Sequence, residues 1–450
     1  MILQVSSFLI AAALLSAPAL GQEQLAVVNV TVIDGTDHLP RENATVYVQG
    51  RKIVSVSGKI DKFPERTTVV DGSGKYLIPG LWNNDLHGPT YDTAEPVLAD
   101  LVSYGITTVR DMGAPLADIV RLRDATASGA LLGPRLFIAG PLLEGPVPIQ
   151  MNLIVDLFST TQAQEEVRAL KQQKVDYIEV DTTLTPELYT AIADEARHQN
   201  LPLGGHIPAK VSASDIAKAG QVDVEHLGGR FLNVLIACSK DETYFRQVTA
   251  KTYDDLLTAV QEKRKADEPQ FRAPFDIRLL ATFDENKAQR LYALYAENGI
   301  AQTPTLHVLK TLWDSNKDGD NLNEEDLQLG KQIFQKDLVV IGGMKRAGVT
   351  VLAGTDGPYG GGGDALHDEL ELLVQAGLSP RQALQAASRD AAAAMGVLKE
   401  VGTIEPGKEA DFVLLDADPL KDIANTRKIR AVSLHGQLFS KEQLLTMRAH

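Results

Sequence analysis

Residues Lys75 to Gly88 read KYLIPGLWNNDLHG. An apolar run (Tyr76, Leu77, Ile78) meets a Pro79-Gly80 break, resumes at Leu81 and Trp82, and ends in Asp85 and His87. The pattern predicts a strand over Tyr76 to Asp85. Side chains two apart on an extended strand point to one side, so Asp85 and His87 are able to reach a single ion. A DxH triplet alone is equally a solvated strand end, so the case depends on the rest of the chain.

Upstream, the period is two: Val28, Val30 and Val32, then Val46 and Val48, then Ile53 and Val56, with turns at Gly35 and Gly50. Near the other end, Phe412 to Leu415 and Ile429 to Leu434 read as strands around Asp416-Ala417-Asp418-Pro419. Two β-rich ends flanking an α/β middle predict one small composite β-sandwich domain. Downstream, strand candidates recur at Ile106 to Arg110, Leu136 to Ala139, Tyr177 to Val180, Leu203 to His206, Val222 to His226, Gln302 to Thr305 and Thr350 to Thr355. Helices alternate with them. One has Thr185 as N-cap and Pro186 behind it; another starts at Ser379-Pro380 and runs to about Gly396. Eight βα units fit an α/β fold of the (β/α)8 TIM-like barrel type. A doubly wound sheet is the alternative, but no GxGxxG follows the first strand. The expected division is a signal segment at 1–21, β-domain segments at 22–75 and 399–450, and a barrel at 76–398. A helical insertion at about 229–299 is expected to form a lid or pocket wall. The glycine run Gly360 to Gly363 lacks a following Lys-Ser/Thr and reads as a rim segment, not a phosphate loop.

The 450 residues carry a formal charge of -15 and no Lys/Arg cluster, which argues against nucleic acid as a partner. A single cysteine, Cys238, excludes an intrachain disulfide and a Cys-based zinc site. Ile2 to Leu20 is apolar, and Ala19-Leu20-Gly21 has the form of a signal-peptidase site. Export to the periplasm or medium is expected, with no stable membrane insertion after cleavage. A small-molecule substrate is expected, and the reading leaves room for a homo-oligomer.

The candidate strands end in polar groups: Asp85 and His87 on the first, Glu179 on the fourth, His206 on the fifth, His226 on the sixth and Asp356 on the eighth. Glu179, His206 and His226 follow at intervals of 27 and 20 residues, each one βα unit. Strand C-termini converge at a barrel's active-site mouth. Three histidines and three carboxylates there suffice for one or two divalent ions.

The stretches LIPGLW, GITTVRDMG, GPRLFIAGPLLEGP, GHIPAKVSASDIAKAGQVDVEHL, LAGTD, LHDELELLVQAGLSPRQALQAAS and GTIEPGKEADFVLLDADPLKDI resemble the metal-dependent amidohydrolase superfamily, in its imidazolonepropionase-like and prolidase-like branch. The resemblance implies a TIM-like barrel with a composite β-domain and a hydrolase of amide, cyclic amide or dipeptide-like bonds. It also implies a metal-activated water, with Asp356 relaying the proton. His87, His206, His226 and Asp356 match the family pattern. Asp85 replaces the first histidine of HxH, Glu179 replaces the strand-four lysine, and Asn83 stands where an acidic residue is usual. Both substituted ligands are carboxylates, which shifts preference from zinc toward manganese. The alternative is a catalytically impaired relative with a binding role. Tyr177, Tyr359 and His307 are further candidates for substrate contact, and His367 reads as structural.

Overall fold

A computed structural model describes residues 24–58, 60, 62–146, 153–229, 232–262, 273–314, 324–358 and 362–448. The expected signal segment and Tyr359 lie outside the described residues. Among the described residues no helix is long and apolar enough to cross a membrane.

The break at Pro79-Gly80 divides the decisive stretch between two bodies. Tyr76–Pro79 pairs antiparallel with Phe412–Leu415, Tyr76 opposite Leu415 and Pro79 opposite Phe412. Leu81–His87 instead enters the barrel, in parallel with Ile106–Asp111. The single strand expected over Tyr76 to Asp85 is therefore two strands. Gly80 permits the turn from one to the other, because a Cβ there would lie 2.1 Å from Thr107 Oγ1.

The chain ends build one eight-stranded sheet. Its order is Gln437–Ser440, Ile429–Leu434, Phe412–Leu415, Tyr76–Pro79, Gln24–Val32, Arg41–Gln49 and Lys52–Ser57, with Thr67–Asp71 also paired to Gln24–Val32. The alternating valines do what their period demands. Val27, Val30, Val46, Val48, Leu77, Phe412 and Leu414 form one buried cluster drawn from both ends of the chain.

The barrel closes as a ring of parallel strands: Leu81–His87, Ile106–Asp111, Arg135–Ile138, Ile178–Val180, Leu203–Gly205, Asp223–Glu225, Ala301–Thr303 and a short eighth piece at 350–352. The third strand kinks at Gly140, whose φ of 82° is left-handed. Its continuation, Leu142–Glu144, pairs with the fourth strand through Val180. Closure between the third and fourth strands comes from Asp176 N–H donating to the Ile138 carbonyl at 2.8 Å. Between the eighth and first it comes from Asn84 N–H donating to the Ala353 carbonyl at 2.9 Å. These strands read as apolar runs because both faces are covered: Leu81, Leu86, Val109, Ile138, Ile178, Val180, Leu203 and Val224 are buried in the main core.

The helix beginning at Pro186 is capped by Thr185, whose side chain accepts from Leu188 N–H. Ser379 caps Pro380–Ala386 with a full capping box. The helix expected to run on to Gly396 is interrupted after Ala386 and restarts as Arg389–Ala394. The Ala387 carbonyl is diverted to accept from Trp82 N–H at 2.8 Å, tying the barrel's first strand to this helix pair.

In the insertion, Glu242–Gln261 lies against the loops that follow strands four and five. Tyr253 is buried and donates to the Thr183 carbonyl at 2.7 Å, and Lys210 pairs with Asp254 at 2.5 Å. This helix walls the C-terminal mouth of the barrel. Glu285–Glu297, by contrast, is the ordinary helix leading into strand seven.

Candidate metal centre

Three strand ends break in the same way. His226 after strand six, Thr305 after strand seven and Asp356 after strand eight have φ values of 47°, 48° and 50°. A non-glycine residue in this region costs roughly 1 kcal/mol or more, so such residues cluster where packing and function fix them. Here they turn side chains inward at one level of the barrel.

Two groups of possible ligands result. In the first, Asp85, His87 and Asp356 each place a ligand atom within 4.8 Å of the others. In the second, His206, Glu225 and His226 do the same. The groups adjoin: His226 Nε2 lies 3.7 Å from Asp85 Oδ2 and 3.6 Å from Asp356 Oδ2, and the His206 and His226 rings stand edge to face at 5.0 Å. Each histidine is held from behind through Nδ1: His87 by the Gly113 carbonyl at 3.3 Å, His206 by Asp181 at 2.7 Å and Thr182 at 2.8 Å, and His226 by Thr305 Oγ1. Such partners fix tautomer and ring orientation and leave Nε2 for the centre.

Asn83, the departure beside Asp85, is buried. It donates from Nδ2 to Thr355 Oγ1 at 2.8 Å and accepts from Asp85 N–H at 3.3 Å, joining strand one to the turn that carries Asp356. Gly354 permits that close approach, since a Cβ there would lie 2.7 Å from the Asp85 Cβ.

The electrostatics call for a cation. Asp85 is fully buried, and among the described residues no hydrogen-bond donor reaches either of its carboxylate oxygens. Glu179 Oε2 and Glu225 Oε1 are buried and equally without a donor. Burial pushes all three carboxyls well above the usual carboxylate range, and neighbouring acids add to it: Glu225 and Asp356 for Asp85, Asp85 for Glu179, and Glu179 for Glu225. Arg110 compensates them only in part: its charge lowers all three carboxyls, and burial outweighs it. Its Nε donates to the Asn84 carbonyl at 2.7 Å, its Nη2 is taken by Asp223 and by Thr303 at 3.0 Å, and Glu225 stands off at 3.9 Å. Isolated buried charges cost several kcal/mol each unless they are paired or coordinate a metal. Carboxylate oxygens and imidazole nitrogens together are the donor set of a divalent ion, so these residues fit the metal the sequence anticipates.

Asp356 differs from Asp85 in being partly open to the mouth, with 27% of its side chain exposed. Burial raises its carboxyl, but the imidazoles of His226 and His87 outweigh that and hold it below the ordinary value. His87 responds in the opposite sense. Burial lowers it, yet the bond to Asp356 at 3.1 Å and the Asp85 carboxyl lift it to about 9. Burial takes His226 down to about 4.

The structure thus brings together Asp85, His87, His206, His226 and Asp356. Glu179 adjoins them, buried with its carboxyl against that of Glu225, but belongs to neither three-residue group. Tyr177 sits deeper: it is buried with Met112 and Ala139, and its hydroxyl donates to the Asp111 carbonyl. His307 opens Leu306–Asp314, half-buried, with Nδ1 3.3 Å from Asp368. His367 is buried with both ring nitrogens engaged, by Thr426 at 2.9 Å and by the Tyr104 carbonyl at 3.1 Å, as a structural residue should be. Sequence reasoning missed Glu225, Asp181 and Arg110. The DVEHL and DYIEVD strings contain the two acids, but an alternating strand would turn Glu225 away from its neighbour His226.

The amidohydrolase family model matches residues 76–438. The chain belongs to the amidohydrolase family. Among curated relatives of this amidohydrolase is an ochratoxinase from Aspergillus niger, 31% identical over 147 residues, which span 32% of this chain and 30% of the relative's length. The A. niger ochratoxinase crystal structure superposes with a TM-score of 0.67 at 18% identity, covering 93% of this chain and 96% of that one. A Xaa-Pro dipeptidase with bound methionine superposes with a TM-score of 0.68 at 18% identity, covering 93% and 100%. These superpositions establish the amidohydrolase barrel.

Proposed function

We propose that this amidohydrolase is a metal-dependent hydrolase of carbon–nitrogen bonds in small amide, cyclic-amide or dipeptide-like substrates. The observation that carries the reading is the set of buried carboxylate oxygens of Asp85, Glu179 and Glu225 that no donor among the described residues reaches, beside three histidines fixed through Nδ1. The names of the ochratoxinase and dipeptidase relatives are consistent with it.

Asp85, His87, His206, His226 and Asp356 would hold one or two divalent ions, zinc or manganese, with Glu179 beside them. When bound, such an ion supplies Lewis acidity at the carbonyl and makes water a nucleophile near neutral pH. The chain's own contribution centres on Asp356. Its carboxyl is held in the ionised form by His226 and His87 and is partly open to the mouth. It takes the proton from the attacking water and delivers it to the departing nitrogen. His87, at 3.1 Å, steadies the carboxyl while the proton passes. The helix Glu242–Gln261, pinned over the loops of strands four and five, narrows the mouth and excludes water from the bound substrate. Export of the mature chain belongs to the same proposal.

The test is a screen of N-acyl amino acids and dipeptides with the wild-type protein and His206→Ala. Hydrolysis that requires added manganese or zinc and falls by about 10²-fold or more in the variant supports the reading. An active substrate cleaved equally well by His206→Ala would refute it.

A further inference from the structure

The second ligand group contains a residue to which neither the sequence pattern nor the family resemblance gives a role. We infer that Glu225 is a direct ligand of the ion held by His206 and His226, and that Glu179 stands behind it as the partner that orients its carboxyl. This inference rests on the metal-dependent reading above and adds to it the identity of the acidic ligand.

Four observations lead there. Glu225 has a carboxylate oxygen within 4.8 Å of ligand atoms of both His206 and His226. The backbone explains how adjacent residues serve one centre. Asp223 and Glu225 face the lumen at the alternating spacing of the strand, and His226 then turns back into the left-handed region, followed by Leu227 at φ 54°. In a continuing strand Glu225 and His226 would point to opposite faces; the turn directs both inward. Thirdly, the protein cation paired with the Glu225 carboxyl, Arg110, is shared with other groups. Arg110 is engaged by Asp223, Thr303 and the Asn84 carbonyl and lies 3.9 Å away, and Glu225 Oε1 is buried with no hydrogen-bond donor among the described residues.

The fourth observation concerns Glu179. Its Oε1 lies flat against Gly205, where a Cβ would come within 2.2 Å of it. The carboxyl is therefore packed over the neighbouring strand, and it meets Glu225. Two buried carboxyls in contact require a proton or a cation between them. With the ion on the Glu225 side, Glu179 is the group that backs the Glu225 carboxyl and fixes its orientation by contact. This is how an outer partner commonly supports a ligating carboxylate.

The experiment compares wild type, Glu225→Gln, Glu225→Asp, Glu179→Gln and His206→Ala, each loaded with Co²⁺ and titrated with Mn²⁺ by calorimetry. Affinity alone does not separate a ligand from its supporter, because loss of an outer partner also weakens binding by 10- to 100-fold. The visible absorption of bound Co²⁺ does, since it follows the ligand set. We expect Glu225→Gln to weaken the His206-dependent site by at least about 100-fold and to change its Co²⁺ spectrum. Glu179→Gln should keep the stoichiometry and the spectrum, with an affinity loss of about 10- to 100-fold. Glu225→Asp keeps the charge and serves if Glu225→Gln fails to fold; its shorter reach should also alter the spectrum. A Glu225 variant with a wild-type spectrum and stoichiometry, or a Glu179→Gln protein that loses the site, overturns the inference and leaves the metal-dependent reading intact. Wild-type protein that binds neither ion overturns both.

Discussion

Among the described residues, two places gather Asp, Glu and His closely enough to hold an ion, and they have opposite electrostatic settings. In the terminal sheet, Glu409, Asp411 and His435 form such a group. Around it stand Arg51 at 3.1 Å, Lys52 at 2.9 Å and Arg135 at 3.7 Å from Glu409, with Arg135 3.9 Å from Asp411. Burial alone would raise the Glu409 carboxyl, but hydrogen bonds from His435, Lys52 and Arg51 win and hold it well below its ordinary value. At the barrel mouth burial outweighs Arg110 and His87, and Asp85, Glu179 and Glu225 are pushed upward. Residue type and spacing do not identify a metal centre. The charge left uncompensated by the protein does.

A third setting completes the contrast. Glu369 is fully buried and is met by the backbone N–H groups of His307 and Leu306, and burial outweighs these and raises it to about 8. Its charge is removed by a proton. The molecule thus neutralises buried acids in three ways: with its own cations in the sheet, with a proton at Glu369, and, on our account, with a divalent ion at the mouth.

The comparison breaks most sharply at Asp356. Asp356→Asn keeps the shape of the site but removes the proton carrier and a ligand, so kcat should fall by about 10³-fold even with excess metal, and bound metal should fall after dialysis. Steady-state kinetics with elemental analysis would check it, and unchanged kcat would remove Asp356 from the chemistry. Arg110 comes next. It is buried and paired with Asp223, so Arg110→Leu strands a buried carboxylate and should destabilise the fold by about 3–5 kcal/mol in urea unfolding.

Glu369→Gln tests the proton. The folded value of about 8 lies above the ordinary 4.5, so the folded state retains a proton that the unfolded chain releases. The resulting stability is fully present below about pH 4.5 and is lost as pH rises through about 8. Thermal midpoints of the variant should therefore decline less than those of wild type between about pH 5 and pH 9. The smallest effect belongs to the sheet cluster. Arg51 is 48% exposed and shares Glu409 with Lys52 and Arg135, so Arg51→Met should cost less than about 1 kcal/mol and leave metal content unchanged.

The barrel and the joined chain ends were legible because period-two valines, capped helices and polar residues at βα spacing are local signals. Asp85, His87, His206, His226 and Asp356 were legible for the same reason. Glu225 was not, because its direction depends on a left-handed turn at His226 that no glycine announces. Tyr177 shares a strand face with Glu179 but lies two residues nearer the strand's start, roughly 6–7 Å deeper. That places it in the barrel floor, where its hydroxyl meets the Asp111 carbonyl. The division of Tyr76 to His87 between two sheets turned on Gly80, which sequence periodicity treats as a pause within one strand.

The central claim is that a divalent ion neutralises the carboxyls at the barrel mouth. Elemental analysis of the purified protein after dialysis, beside an Asp85→Asn/His206→Ala double variant, tests it most directly. We predict one or two equivalents of zinc or manganese in the wild type and near none in the folded double variant. Folded wild-type protein that stays metal-free in excess manganese and zinc would contradict the account.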